Sequence, residues 1–231
     1  MATVLSNPGI GASTEVQPLG TSPEDARWIN TTLIILVCGI VGALMIGARL
    51  YQQMYAWSAG LDATSPEFQT YWMNLLFAQF AVEAIAAFSL WGYVWFSRPR
   101  DVGRVQTHEE LRRFGVFIAL IFCYVFAVFW AASFFGEEDA SWHQTVVRDT
   151  SFTPSHIILF YWAFPIYIIL GITAYLYART RLQRFAARHS LPWVIGVAGP
   201  FMLLPWSLTT NGLTASGFSR SVSPHQCIGG L

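Results

Sequence analysis

The chain has 231 residues, of which 54% are hydrophobic, 16% aromatic and only 11% charged. A soluble domain averages roughly a quarter charged residues, so this chain carries too little charge to cover a water-facing surface and reads as a membrane protein. The net charge is zero, which excludes the basic surplus of a nucleic-acid binder.

Residues 1–22 are rich in Gly, Ser, Pro and Thr. They lack the basic start and apolar core of a signal peptide, and read as a flexible leader. Ser22-Pro23-Glu24-Asp25 then has the order of a helix start: a hydroxyl cap, Pro in the first turn, and acids behind it. From there residues 23–208 read as one all-α domain, a polytopic bundle of about five transmembrane helices. Their apolar cores span about 31–50, 71–96, 114–135, 157–178 and 191–208. Pro165 is expected to bend the fourth span. Pro192, Pro200 and Pro205 interrupt the fifth.

The connections differ in charge. Residues 97–113 and 179–190 hold nine Arg between them, whereas 51–69 and 136–155 hold only Arg148. Cationic loops stay in the cytoplasm. Gly136–Ser155 is therefore expected on the opposite face, which in a bacterium is the periplasmic side. All thirteen cationic residues are Arg, as in a GC-rich gene, and are not read as a phosphate-binding device. Cys38, Cys123 and Cys227 form no CxxC and suggest neither a disulfide framework nor a zinc knuckle.

The stretch Gly136–His156, GEEDASWHQTVVRDTSFTPSH, is the long polar interval between two apolar segments in the middle of the chain. Asp139 and His143 stand four residues apart, one turn on one helix face. His156 follows just after Pro154, where the next span begins. One carboxylate and two imidazoles converging on a point make a metal site with open positions, and the set suits Fe(II), Cu or Zn. Trp142, Arg148 and Asp149 are candidates for packing and pairing around it. The same residues also fit an ordinary polar loop.

Glu83 lies inside the second span, where a bare carboxylate costs roughly 2–3 kcal/mol or more. It reads either as a proton or metal group or, more simply, as a hydrogen-bonded partner of a neighbouring helix with Gln79 one turn away. His108 and His189 sit in Arg-rich loops and read as solvated. No GxGxxG, P-loop or HExxH occurs. The spans hold no paired histidines for haem.

The segments WSAGLD, PEFQTYWMN, EELRR, WHQTVVRDTSFTPSHII, PIYIILG, ARTRL, SLP and GPFM follow in unbroken order from about Trp28 to Pro205. In this order they resemble the C subunit of the copper membrane monooxygenases, which act on methane, ammonia and short-chain hydrocarbons. D-x3-H-x12-H before apolar sequence is a specific signature in that setting. The resemblance implies a membrane protein assembled with A and B subunits, in protomers that associate as trimers. It implies a copper site on Asp139, His143 and His156, and insertion of one oxygen atom from O2 into a small substrate. Two other readings stand beside it: a non-catalytic scaffold whose chemistry lies on the B subunit, and a metal-handling membrane protein.

The resemblance stops after Pro205. Residues 209–231 read as an irregular Ser/Gly/Thr-rich tail. Shifted back by one base across Thr210–Gly230, permitted codons give Asn-Glu-Trp-Ala-His-Gly-Leu-Trp-Leu-Leu-Glu-Glu-Cys-Phe-Ala-Ala-Pro-Met-His-Trp-Gly. This is the pattern that the family carries there, with its Asn over Thr210 and its histidines over Thr214 and Ile228. The tail is accordingly expected to be a frameshift product of a truncated copy, and His225 is not read as a substitute ligand.

Overall fold

Helix starts are written into the sequence as polar caps. In the computed structural model, which describes residues 29–103, 105, 107–146 and 152–186, Asn30 caps α1 (Thr31–Ala59) by accepting the Leu33 amide at 2.9 Å. Ser65 caps α2 (Pro66–Phe96) by accepting the Phe68 amide at 3.1 Å, with Pro66 and Glu67 in the first turn. α3 (Thr107–Thr145) carries Glu109 and Glu110 in its first turn. Thr153 caps α4 (Pro154–Arg181) by accepting the His156 amide at 3.2 Å. Such caps satisfy amides that have no intrahelical partner, and the acids complement the positive helix end. A short α5 (Gln183–Ala186) ends the described part.

α1 to α4 are each long and apolar enough to cross a membrane. The chain is an all-α integral membrane protein, with no strand among the described residues. The leader, Ser22–Asp25, the fifth expected span and the tail all lie outside the described residues.

The four helices run up and down. At one end Gly60 and Pro154 meet so closely that a Cβ on Gly60 would collide with Pro154 Cγ, and Trp57 faces Trp142 with ring centroids 5.3 Å apart. At the other end Arg181 donates to the Val94 carbonyl at 3.0 Å and the Ser97 hydroxyl at 2.7 Å. α4 lies at the centre and α1 at the periphery: 67% of α4's most apolar stretch is buried against 17% of α1's. α1 therefore shows Ile35, Leu36, Ile40 and Met54 to its surroundings, which suits lipid or a partner helix. Small residues are fully buried on both inner helices, Ala119, Cys123, Ala127 and Ala131 on α3 and Ala174 and Ala178 on α4; Cys123 lies against Cys38 of α1, and Phe117 of α3 packs with Ala178 and Leu182. Gly171 lets α4 approach the Tyr124 ring; a Cβ there would lie 2.9 Å from it. Small side chains allow this kind of backbone approach.

The helices run beyond the expected apolar cores. Tyr51–Ala59 extends α1, Pro66–Thr70 opens α2, and Gly136–Thr145 continues α3 where a loop was expected. Hydrophobicity marks where lipid contact ends, but backbone hydrogen bonding continues for as long as caps and packing sustain it. Pro165 falls directly behind a π-helical turn, Leu159–Ala163. A π turn closes i→i+5 bonds, so the chain stays helical past a residue with no amide proton. Two further π turns occur, at Gln69–Met73 and Trp130–Phe135.

Candidate metal centre

The π turn in α3 decides where the acid points. Ala119, Cys123, Ala127, Ala131, Phe135 and Asp139 are all buried and succeed one another at intervals of four. In a regular α-helix each such step drifts about 40° around the axis. The extra residue in Trp130–Phe135 turns the face back by about 100°, so Asp139 still points inward. His143 follows one turn later in the last turn of α3. His156 is delivered by α4, whose start is fixed by the Thr153 cap and by Pro154. Thr153 Oγ1 and Ser155 Oγ are 3.1 Å apart. Ser155 also hydrogen-bonds the Asp139 side chain.

The three side chains converge. His143 Nε2 lies 3.3 Å from Asp139 Oδ1, His156 Nε2 lies 3.5 Å from the same oxygen, and the two imidazole nitrogens are 3.0 Å apart. Asp139 and His156 are buried at 4% and 7% exposure; His143 is partly open. Among the described residues this is the group of three or more His, Cys, Asp or Glu side chains placed to hold one metal ion. The spacing fits the chemistry. Ligand atoms about 2.0–2.2 Å from one ion, at angles between 90° and 110°, lie about 2.8–3.6 Å from one another. All three measured distances fall in that range. No fourth described residue joins this group.

Aromatic side chains shield the centre. Phe160 packs against His156 with centroids 5.0 Å apart and the rings tilted. Trp142, one residue before His143, is buried against Trp57. A groove of about 210 Å³ lined by Gly60, Asp62, Phe68, Trp142, Phe152 and Thr153 opens alongside. A second, of about 300 Å³, lies between α1 and the end of α3 and holds the Arg49–Glu138 ion pair. Neither is lined by the three converging residues themselves.

Sequence reasoning found all three converging residues and placed Trp142 beside them. Arg148 and Asp149 lie outside the described residues, as do His189, His225 and Cys227. It missed Ser155 and Thr153, for which the signal was the Thr-Pro-Ser helix start immediately before His156. It gave no partner to Arg49, the single charged residue in Thr31–Ala59, which pairs with Glu138 and donates to Gln52 at 3.1 Å. His108 is exposed, as expected. Cys38 and Cys123 are free thiols with sulfurs 3.8 Å apart.

Residues 16–217 match the family described as the C subunit of ammonia monooxygenase/methane monooxygenase. No curated protein matches the chain.

Proposed function

We propose, from the premise that this chain belongs to the C-subunit family of the ammonia and methane monooxygenases, that it binds copper through Asp139, His143 and His156. In this reading it works in an oxidoreductase that hydroxylates methane, ammonia or a short alkane. The observation that carries the reading is the convergence of one carboxylate oxygen and two imidazole nitrogens within 3.0–3.5 Å of one another, at the end of two membrane helices.

Copper bound there would supply activation of O2, which redox-silent zinc does not. The protein's own share is positional. Asp139 contributes negative charge against the cation, and Ser155 holds that carboxylate in place. Phe160 and Trp142 keep water from the buried side. With three protein ligands, coordination positions stay open for O2 and substrate. Small apolar substrates dissolve in the bilayer, so a centre at the edge of the hydrocarbon region can be supplied laterally.

The arginine distribution supports a topology with the triad on the periplasmic side of a bacterial inner or intracytoplasmic membrane. The exposed apolar faces of α1 and α2 suit docking of A and B subunits, in a trimer of such protomers, as well as lipid.

The test is metal analysis with EPR on the native membrane complex, wild type against His156→Ala. A nitrogen-coupled Cu(II) signal that disappears in the variant, together with turnover, is the expected result. A signal and turnover that both survive would move the chemistry to another subunit and leave this chain as scaffold.

A further inference from the structure

α2 carries a second polar feature that the triad does not use. Its buried face runs Trp72, Leu76, Gln79, Glu83 and Ala87. Glu83 is 7% exposed and Gln79 4%. The Oε1 atoms of both, and Nε1 of Trp72, are buried with no hydrogen-bond partner among the described residues. The Gln79–Glu83 hydrogen bond expected from their spacing is not formed.

The depth of this line follows from the parallel register of α2 and α4. The Phe80 and Tyr161 rings meet with centroids 5.9 Å apart, and Trp91 Nε1 donates to the Ile169 carbonyl at 3.4 Å. Glu83 lies three residues past Phe80, and His156 five before Tyr161. At 1.5 Å per residue, Glu83 sits about 12 Å deeper in the bundle than His156. Gln79 is one turn nearer the triad, and Trp72 reaches its level.

No cation faces Glu83 from the described spans. α3 has no charged residue between Phe114 and Phe135, and the charged or titratable His and Arg of α4 are His156, Arg179 and Arg181, near its ends. Arg49 is the charge of α1, and it is engaged by Glu138. A carboxylate without a cation inside a membrane bundle is the costly form, and intramembrane acids commonly serve proton transfer.

We propose that Glu83 is an intramembrane proton site, held as a neutral carboxylic acid, and that the line Glu83–Gln79–Trp72 carries protons through ordered water toward the triad. This rests on the monooxygenase reading above. Hydroxylation by O2 consumes two electrons from an external donor and two protons: substrate–H, O2, two electrons and two protons give substrate–OH and water. On its buried side the centre is walled by apolar groups, so a proton arriving from within the bundle needs polar groups to carry it. Glu83 releases a proton to the water chain and regains one from solvent before the next transfer. Gln79 Oε1 and Trp72 Nε1 supply an acceptor and a donor for bridging waters.

The experiment uses the intact membrane complex. Glu83→Gln keeps the shape and removes the titratable proton. Turnover is expected to fall roughly 10- to 100-fold, with copper occupancy and assembly of the complex at wild-type levels and with much of the activity retained in Glu83→Asp. Infrared spectra of the wild type should show a protonated-carboxyl band that shifts in D2O and is missing from Glu83→Gln. Unchanged turnover in that variant overturns the proposal. So does a wild type without such a band, and this decides the matter even where Glu83→Gln fails to assemble. Loss of the triad reading shows separately, as turnover that survives His156→Ala.

Discussion

The two ends of the bundle are both polar, yet they are built on opposite rules. At the arginine end, Glu109 accepts from Arg112 at 2.8 and 3.0 Å and from Arg113 at 2.9 Å. Arg113 also donates to the Arg181 carbonyl at 3.3 Å, and Arg181 donates onward to Val94 and Ser97. Charge there is only partly paired within the protein, with an excess of Arg over acids, and well-exposed groups such as Arg112 are met by water. At the triad end a buried carboxylate meets two imidazoles, whose nitrogens point at the same place as its oxygen. Groups that only stabilise a helix end spread over its carbonyls and amides. Groups arranged around a point are arranged for something placed at that point.

That contrast breaks first at Gly60. A Cβ there would collide with Pro154 Cγ and with the Ala56 carbonyl oxygen, and backbone cannot give way as a side-chain tip can. Pro154 opens the helix that delivers His156. Gly60→Ala is expected to cost about 1–3 kcal/mol of stability and to lower copper occupancy with it. Thermal denaturation and metal analysis on the purified complex measure both. Copper retained at wild-type affinity would mean that α4's start is not held by this contact.

Ser155→Ala is the narrower cut. It removes the hydroxyl that steadies Asp139 and leaves the Thr153 cap on the His156 amide. Copper affinity should fall about 10- to 100-fold, the usual loss when a ligand's supporting partner is removed, with little change in unfolding temperature. Competition with a copper chelator reads the affinity. A loss of stability with unchanged affinity would instead make Ser155 a helix-start residue only.

Much of this site was legible in the sequence because two separate codes coincided there. The i, i+4 spacing of Asp139 and His143 is a statement about one helix face, and Pro154 at the edge of the next apolar run puts His156 at the entry of a span. The apolar runs located all four described spans for the same local reason. What could not be read was where α3 would end. Gly136–Thr145 has the composition of a loop, and its helicity depends on the preceding helix and on burial of Trp142 and Asp139. The π turns were equally hidden, since Trp130–Phe135 has no composition that separates i→i+5 from i→i+4 bonding. The Arg49–Glu138 pair joins two helices and leaves no trace in either segment alone.

The smallest expected effect lies at the arginine end. Glu109→Gln removes the charge that draws in Arg112 and Arg113 while keeping an acceptor of similar size. Arg112 is well exposed, so its share is screened by solvent, and such pairs contribute about 0–1 kcal/mol. Arg113 is more enclosed, but it keeps its bond to the Arg181 carbonyl. A small drop in unfolding temperature is therefore expected, shrinking further as salt is added, with copper affinity unchanged because Glu109 and Asp139 stand near opposite ends of α3, about 45 Å apart at 1.5 Å per residue. The decisive comparison is with Ser155→Ala under the same chelator competition. Should Glu109→Gln weaken copper as much as Ser155→Ala does, the two ends would be energetically coupled through α3. The arginine cluster would then belong to the working part of the molecule and not only to its anchoring.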